Sequence, residues 1–140
     1  MNDFKPIHGH CQCGSVQYRV NAPAREYYHC HCSICRRRHG ALFATYAIVD
    51  HDALVIEQGE DALRSFNSTP DVHCQFCGNC GCQLFARDDS QPDIMWFTPG
   101  TGDSDPGARE RERHVFVDSK APWHEIHDDL PKWHDDAGYK

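Results

Sequence analysis

The stretch Gly9-His10-Cys11-Gln12-Cys13-Gly14-Ser15-Val16-Gln17-Tyr18-Arg19-Val20 carries two signals side by side. Its second half places Val16, Tyr18 and Val20 on one face and Gln17 and Arg19 on the other, the two-residue period of a half-buried strand. Its first half is a Cys-x-Cys pair followed by glycine. In extended backbone residues i and i+2 point the same way, so both sulfurs can reach one ion.

Outward from this stretch, short runs rich in β-branched and aromatic residues recur at Leu42 to Val49, Leu54 to Glu57, Leu63 to Phe66, Val72 to Phe76, Gln83 to Ala86, Ile94 to Thr98 and His114 to Val117. Turn-forming triplets such as Ser68-Thr69-Pro70 and Thr98-Pro99-Gly100 separate them. The pattern predicts a mainly β, antiparallel domain with little helix. Only Ser33 to His39, ended by Gly40, reads as a helical turn, with Ser33 as its N-cap. Gly100 to Glu112, with Gly, Asp, Ser, Pro and alternating Arg and Glu, reads as a long surface loop.

The chain has 140 residues and a net charge of -7. That length fits one domain, spanning residues 1–140. Leu, Ile, Val and Phe supply only 25 residues, less than the ~20% below which charged chains tend toward disorder. Nine cysteines and eleven histidines stand against this shortage, so something besides an aliphatic core is expected to hold the fold. The acidic balance speaks against nucleic acid or anionic membrane as partners. Met1 to Ile7 has no apolar signal region, and the longest mostly apolar run, Ala41 to Val49, falls short of the ~20 residues of a membrane span. A cytoplasmic location is the expectation, where cysteines serve as metal ligands or reactive thiols before disulfides.

A second pair, Cys77-Gly78-Asn79-Cys80-Gly81, is a Cys-x-x-Cys knuckle whose glycines let the chain turn around an ion. With Cys11 and Cys13 it supplies four thiolates, the closed tetrahedral set of a structural zinc. The preference for this long-range closure is energetic, because metal binding contributes on the order of 10 kcal/mol to folding in small domains. Spacing alone also allows Cys74, Cys77, Cys80 and Cys82 to form the site. The middle set, Cys30-His31-Cys32-Ser33-Ile34-Cys35, offers three thiols in six residues. Three ligands leave a position for water or substrate; the alternative is a closed site with His29, His31 or His39 as fourth ligand.

Read in order, these motifs resemble the glutathione-dependent formaldehyde-activating enzyme family, relatives of the centromere protein V domain. The matching stretches are Gly9 to Tyr18, Tyr28 to Ala41 and Phe76 to Phe85. A C-terminal match, His114 to Trp123 with Asp128 to Pro131, extends the likeness over nearly the whole chain. The resemblance implies a β-tent fold with two zinc ions. Cys11, Cys13, Cys77 and Cys80 would take the structural ligands' places, and Cys30, Cys32 and Cys35 those of the catalytic zinc. It further implies carbon-sulfur lyase chemistry on an adduct of glutathione, or another small thiol, with formaldehyde or another aldehyde. Cys74 and Cys82 are left without a role.

Such chemistry suits the site, since a metal holding three thiolates is a poor Lewis acid but keeps an entering thiol deprotonated. Arg36, Arg37 and Arg38 could offset its charge or bind a carboxylate, or simply face solvent. Trp123 and Trp133 are expected in the core rather than over the site. Two other functions fit the same residues: a non-catalytic zinc-stabilised interaction module, and a thiol redox or metal-trafficking protein.

Overall fold

The computed structural model describes residues 4–136. Ten strands form two sheets. The smaller holds β1 (Ile7–His10), β2 (Gln17–Val20) and β5 (Leu54–Gln58), in the order β1-β2-β5. The larger is built from β3 (Glu26–Cys30), β4 (Ala44–Asp50), β6 (Leu63–Thr69), β7 (Val72–Cys77), β8 (Gln83–Asp88), β9 (Ile94–Phe97) and β10 (Glu112–Val115). Its order is β10-β3-β4-β9-β8-β7-β6. Among the described residues the one α-helix, α1 (Ser33–His39), follows shortly after β3.

Each face of the larger sheet has its own apolar cluster. On one side Ala47, Val49, Leu84, Phe85, Met95 and Phe97 meet Ile7, Val16, Tyr18 and Val20 from the smaller sheet and its approach. The alternation around Tyr18 thus marks the inner face of β2, and Tyr18 packs edge-on to Phe85 with ring centroids 5.1 Å apart. On the other side Tyr28, Cys30, Tyr46, Ile48, Ala86, Trp96 and Val115 pack with Cys32 and Cys35 at α1. β4 is buried on both faces, which is why its sequence Ala44-Thr45-Tyr46-Ala47-Ile48-Val49 reads as a continuous apolar run.

The sheets are antiparallel except for one pair, because β10 runs parallel to β3. Parallel neighbours need a long connection, and the loop from Thr98 to Arg111 supplies its last part, holding 3-10 turns at Pro99–Thr101 and Arg109–Arg111. The buried carboxylate of Glu26 on β3 clamps this pair, accepting from Arg113 at 2.8 Å and from Arg111.

Several boundaries differ from the sequence expectation. Strands at Ile7–His10 and Glu26–Cys30 were not foreseen; Glu26 and His29 are polar groups buried with partners, which hides the apolar pattern. The last strand starts at Glu112 and ends at Val115, and Phe116 leaves it at φ 56. The N-cap of α1 is Cys32, not Ser33: its sulfur accepts the Cys35 N–H at 3.3 Å. Trp123 and Trp133 are outside the core, 75% and 46% exposed.

Candidate functional site

Two hairpin-like turns bring Cys11, Cys13, Cys77 and Cys80 together, their sulfurs all within 4.8 Å of one another. The turns are built alike. Gly14 N–H donates to Cys11 O at 3.0 Å, as Gly81 N–H donates to Cys77 O at 2.8 Å. Gly14 and Gly81 sit at φ +80 and +79, a left-handed conformation that a side chain would strain. The Val16 and Asn79 amides point at the Cys11 and Cys77 sulfurs, 3.3 and 3.4 Å away. Cys11 and Cys13 sulfurs are 3.6 Å apart, and Cys13 and Cys77 sulfurs 3.8 Å. Four sulfurs at ~2.3 Å from a shared tetrahedral centre would lie about 3.8 Å apart, so the donor set fits a metal of zinc's size. Contacts with Ser15 lower the Cys13 thiol to about 6, and burial first of all raises Cys77 to about 11.

The rival set of four does not assemble. Cys74 and Cys77 are three apart on β7, so they face opposite sides: Cys77 joins the inter-sheet cluster and Cys74 lines a cleft on the far face. Cys82, whose thiol burial raises, contacts Gln83 O.

The second cluster is Cys30, Cys32 and Cys35, again with sulfurs within 4.8 Å. β3 ends with Cys30, the chain turns at Cys32 as helix cap, and the first turn of α1 brings Cys35 back over both. The Cys30 and Cys35 sulfurs, with the Cys35 and Ile34 amides, hold Cys32 far below the ordinary thiol range. The contact with Cys32 first of all pushes Cys30 up to about 12, and contacts with Cys30 and Cys32 raise Cys35. Three adjacent thiols favour one thiolate over three, and a bound dication would remove that preference.

No histidine completes this cluster among the described residues. His29 is held by Thr45 and Glu112, each at 2.8 Å, and His39 by the Tyr46 hydroxyl at 2.8 Å. His31, wholly buried, points away from its cysteine neighbours. Its Nε2 is 2.8 Å from His114 Nδ1, and His114 Nε2 in turn meets Asp128 at 2.9 Å. Phe43 and His124 pack around this chain.

Cys35 opens onto a cleft of about 270 Å³ on the far face of the larger sheet, walled by Tyr28, Ile34, Tyr46, Val72, Ala86 and Trp96. Tyr46 contributes a hydroxyl whose position His39 fixes from the end of α1. Of the three arginines after Cys35, Arg38 reaches this cleft while bonding Gln83, and Arg36 donates to Ser119 O. Arg36 and Arg37 border a separate surface hollow with Trp123. The Tyr46 and Trp96 contributions were not singled out from sequence, since strands far apart in the chain supply them; His39 was named as a candidate ligand and instead partners Tyr46.

A mainly β chain with two cysteine clusters able to hold metal ions defines a class, and similarity narrows it. The chain belongs to the glutathione-dependent formaldehyde-activating enzyme family, whose model matches residues 6–119. A Halomonas elongata protein is 30% identical over 130 residues, covering 86% of this chain and 80% of that one. A Phaeosphaeria nodorum protein is 28% identical over 81 residues, 58% of this chain and 43% of its own length. Both bear the name "Putative glutathione-dependent formaldehyde-activating enzyme". A crystal structure of a Rhodobacter sphaeroides protein shares the fold, with TM-score 0.59, 20% identity, and coverage of 90% of this chain and 98% of that one. Among the described residues no helix is long and apolar enough to cross a membrane.

Proposed function

We propose that the protein is a zinc-dependent enzyme that makes or breaks the carbon-sulfur bond of a thiol–aldehyde adduct, with glutathione as the thiol. The single observation that carries this reading is the three-cysteine cluster, unassisted by any neighbouring histidine and open to a cleft through Cys35. The family name supports glutathione as the thiol and an aldehyde as its partner. Cys11, Cys13, Cys77 and Cys80 would hold a structural zinc, and Cys30, Cys32 and Cys35 would hold the second.

A zinc ion held by three thiolates would keep a fourth, substrate-derived sulfur in its nucleophilic thiolate form. The protein's own groups do the rest. The thiolate attacks the carbonyl carbon, the C–S bond forms, and the C=O π pair moves to oxygen. Tyr46, oriented by His39, donates its hydroxyl hydrogen bond to that oxygen and passes it a proton; solvent restores the tyrosine. Burial first of all raises the Tyr46 hydroxyl well above the ordinary tyrosine range, so at neutral pH it is a donor and not a base. Arg36 and Arg37, on the outer side of α1, face the carboxylates of the thiol partner.

The test is a metal count paired with the sulfur coordination of the second zinc, with and without glutathione. A fourth sulfur that appears on adding glutathione supports the enzyme. An unchanged shell overturns it and favours the interaction module. Zinc loss with disulfide formation under mild peroxide, reversed by reductant, would favour the redox protein.

A further inference from the structure

Resting on that reading, we infer that the cleft beside Cys35 is a subsite for the aldehyde-derived half of the adduct, and that this half carries an apolar, ring-sized group. Formaldehyde brings only hydrogens to the carbonyl carbon and would leave the cleft to water. The walls argue for something larger.

The cleft lies across five neighbouring strands, and their register sets its apolar side chains in two adjoining rows. Tyr28 on β3 is opposite Tyr46 on β4; Trp96 on β9 is opposite Ala86 on β8, which is opposite Cys74 on β7. Ile34 closes the cleft from α1, although half of its own surface stays exposed. Two tyrosines and a tryptophan on one side of Ala86, with Val72 and Cys74 on the other, make a slot with an aromatic wall and a small residue between the walls. This arrangement recognises a flat or branched apolar group through contact and burial.

The polar groups at the cleft point the same way. Arg38 is its one cationic side chain among the lining residues and already donates to Gln83, while Asp88 and Asp136 bring carboxylates. An anionic peptide arm is therefore a poor occupant. Arg36 and Arg37, the cations that suit such an arm, border the hollow with Trp123 instead. The thiol and aldehyde halves of the adduct are thus received in different hollows, the aldehyde half in the one that Cys35 lines.

The volume of about 270 Å³ is close to the lower end of ligand pockets, ~300 Å³. A single added methylene in an apolar pocket changes specificity about 10- to 200-fold, so a ring that fills the slot should raise kcat/KM by at least about tenfold.

The experiment measures kcat/KM of the zinc-loaded full chain for glutathione adducts of formaldehyde, isobutyraldehyde and benzaldehyde, each corrected for its uncatalysed rate. The expected result is a preference of at least about tenfold for the branched or aromatic adduct over formaldehyde. In Ala86→Phe, which fills the slot between its walls, that ratio should fall at least about tenfold. Circular dichroism and zinc content confirm that the variant is folded and loaded, and Ala86→Leu serves as a milder filling if it is not. Turnover that favours the formaldehyde adduct, or a ratio unmoved in a folded filled variant, overturns the subsite and leaves the carbon-sulfur reaction standing. Turnover of no adduct at all overturns the reaction and the subsite with it.

Discussion

Replacing Cys77 with Ser should cost far more stability than replacing Cys32, and the structure gives the size of the difference. The Cys13 and Cys77 sulfurs, 3.8 Å apart, close a loop between residues 64 positions apart. Treating the metal as a cross-link, the chain-entropy relation gives about 4 kcal/mol for a loop of that length. Cys30 to Cys35 encloses six residues, and the same relation gives only about 2 kcal/mol. Against a total folding stability of ~5 to 15 kcal/mol, the first loss is a large fraction. At about 2 to 4 °C per kcal/mol for a chain near this size, Cys77→Ser should lower Tm by at least about 8 °C. Cys32→Ser should lower it by roughly half as much and leave a folded protein with one zinc. Thermal melts followed by circular dichroism, together with metal counts on the same samples, read both quantities. An equal or larger fall in Cys32→Ser would refute the assignment of the structural role to the long-range cluster.

Further outcomes follow from single residues. Tyr46→Phe should lower kcat about 10²-fold, within the range for loss of a general acid, with KM and both zinc equivalents unchanged; a loss confined to KM would count against proton donation. Burial holds His31 down to about 4 in the folded protein, below its ordinary value of ~6.5. Between those values the unfolded chain binds the extra proton, so stability is full above about pH 6.5 and falls as pH drops toward 4. Urea unfolding across that window should show a shallower slope in His31→Gln than in wild type, and identical slopes would refute the account. Cys74→Ser should keep both zinc equivalents by metal analysis, since its sulfur faces the cleft instead of the four-cysteine cluster; loss of one equivalent would return Cys74 to the ligands.

Much of the fold was legible wherever one face of a strand met solvent. Val16, Tyr18 and Val20 announced their strand because Gln17 and Arg19 stay outside the core. Where both faces are covered, as in Glu26-Tyr27-Tyr28-His29-Cys30, the period vanished. Glu26 is buried against Arg113, and His29 between Thr45 and Glu112, so polar residues broke an apolar pattern without being exposed. Ser33 was a sound cap by type, yet the chain turns one residue earlier and a sulfur accepts the amide instead. Trp123 and Trp133 are exposed because the short C-terminal segment lies over the edge of the larger sheet, where His114 N–H pairs with Pro131 O and Trp133 N–H with His114 O.

By itself the sequence determined a mainly β chain and the two cysteine groups, because a two-residue side-chain period and ligand spacing are local properties of a backbone. Only the tertiary structure decided which distant pairs share a cluster. It set Cys77 and Cys74 on opposite faces of β7, and turned His29, His31 and His39 toward other partners. It also drew Tyr28, Tyr46, Ala86 and Trp96 around the cleft at Cys35. Those residues come from strands whose neighbours are fixed by sheet order, and sheet order is set by packing between segments far apart in the chain.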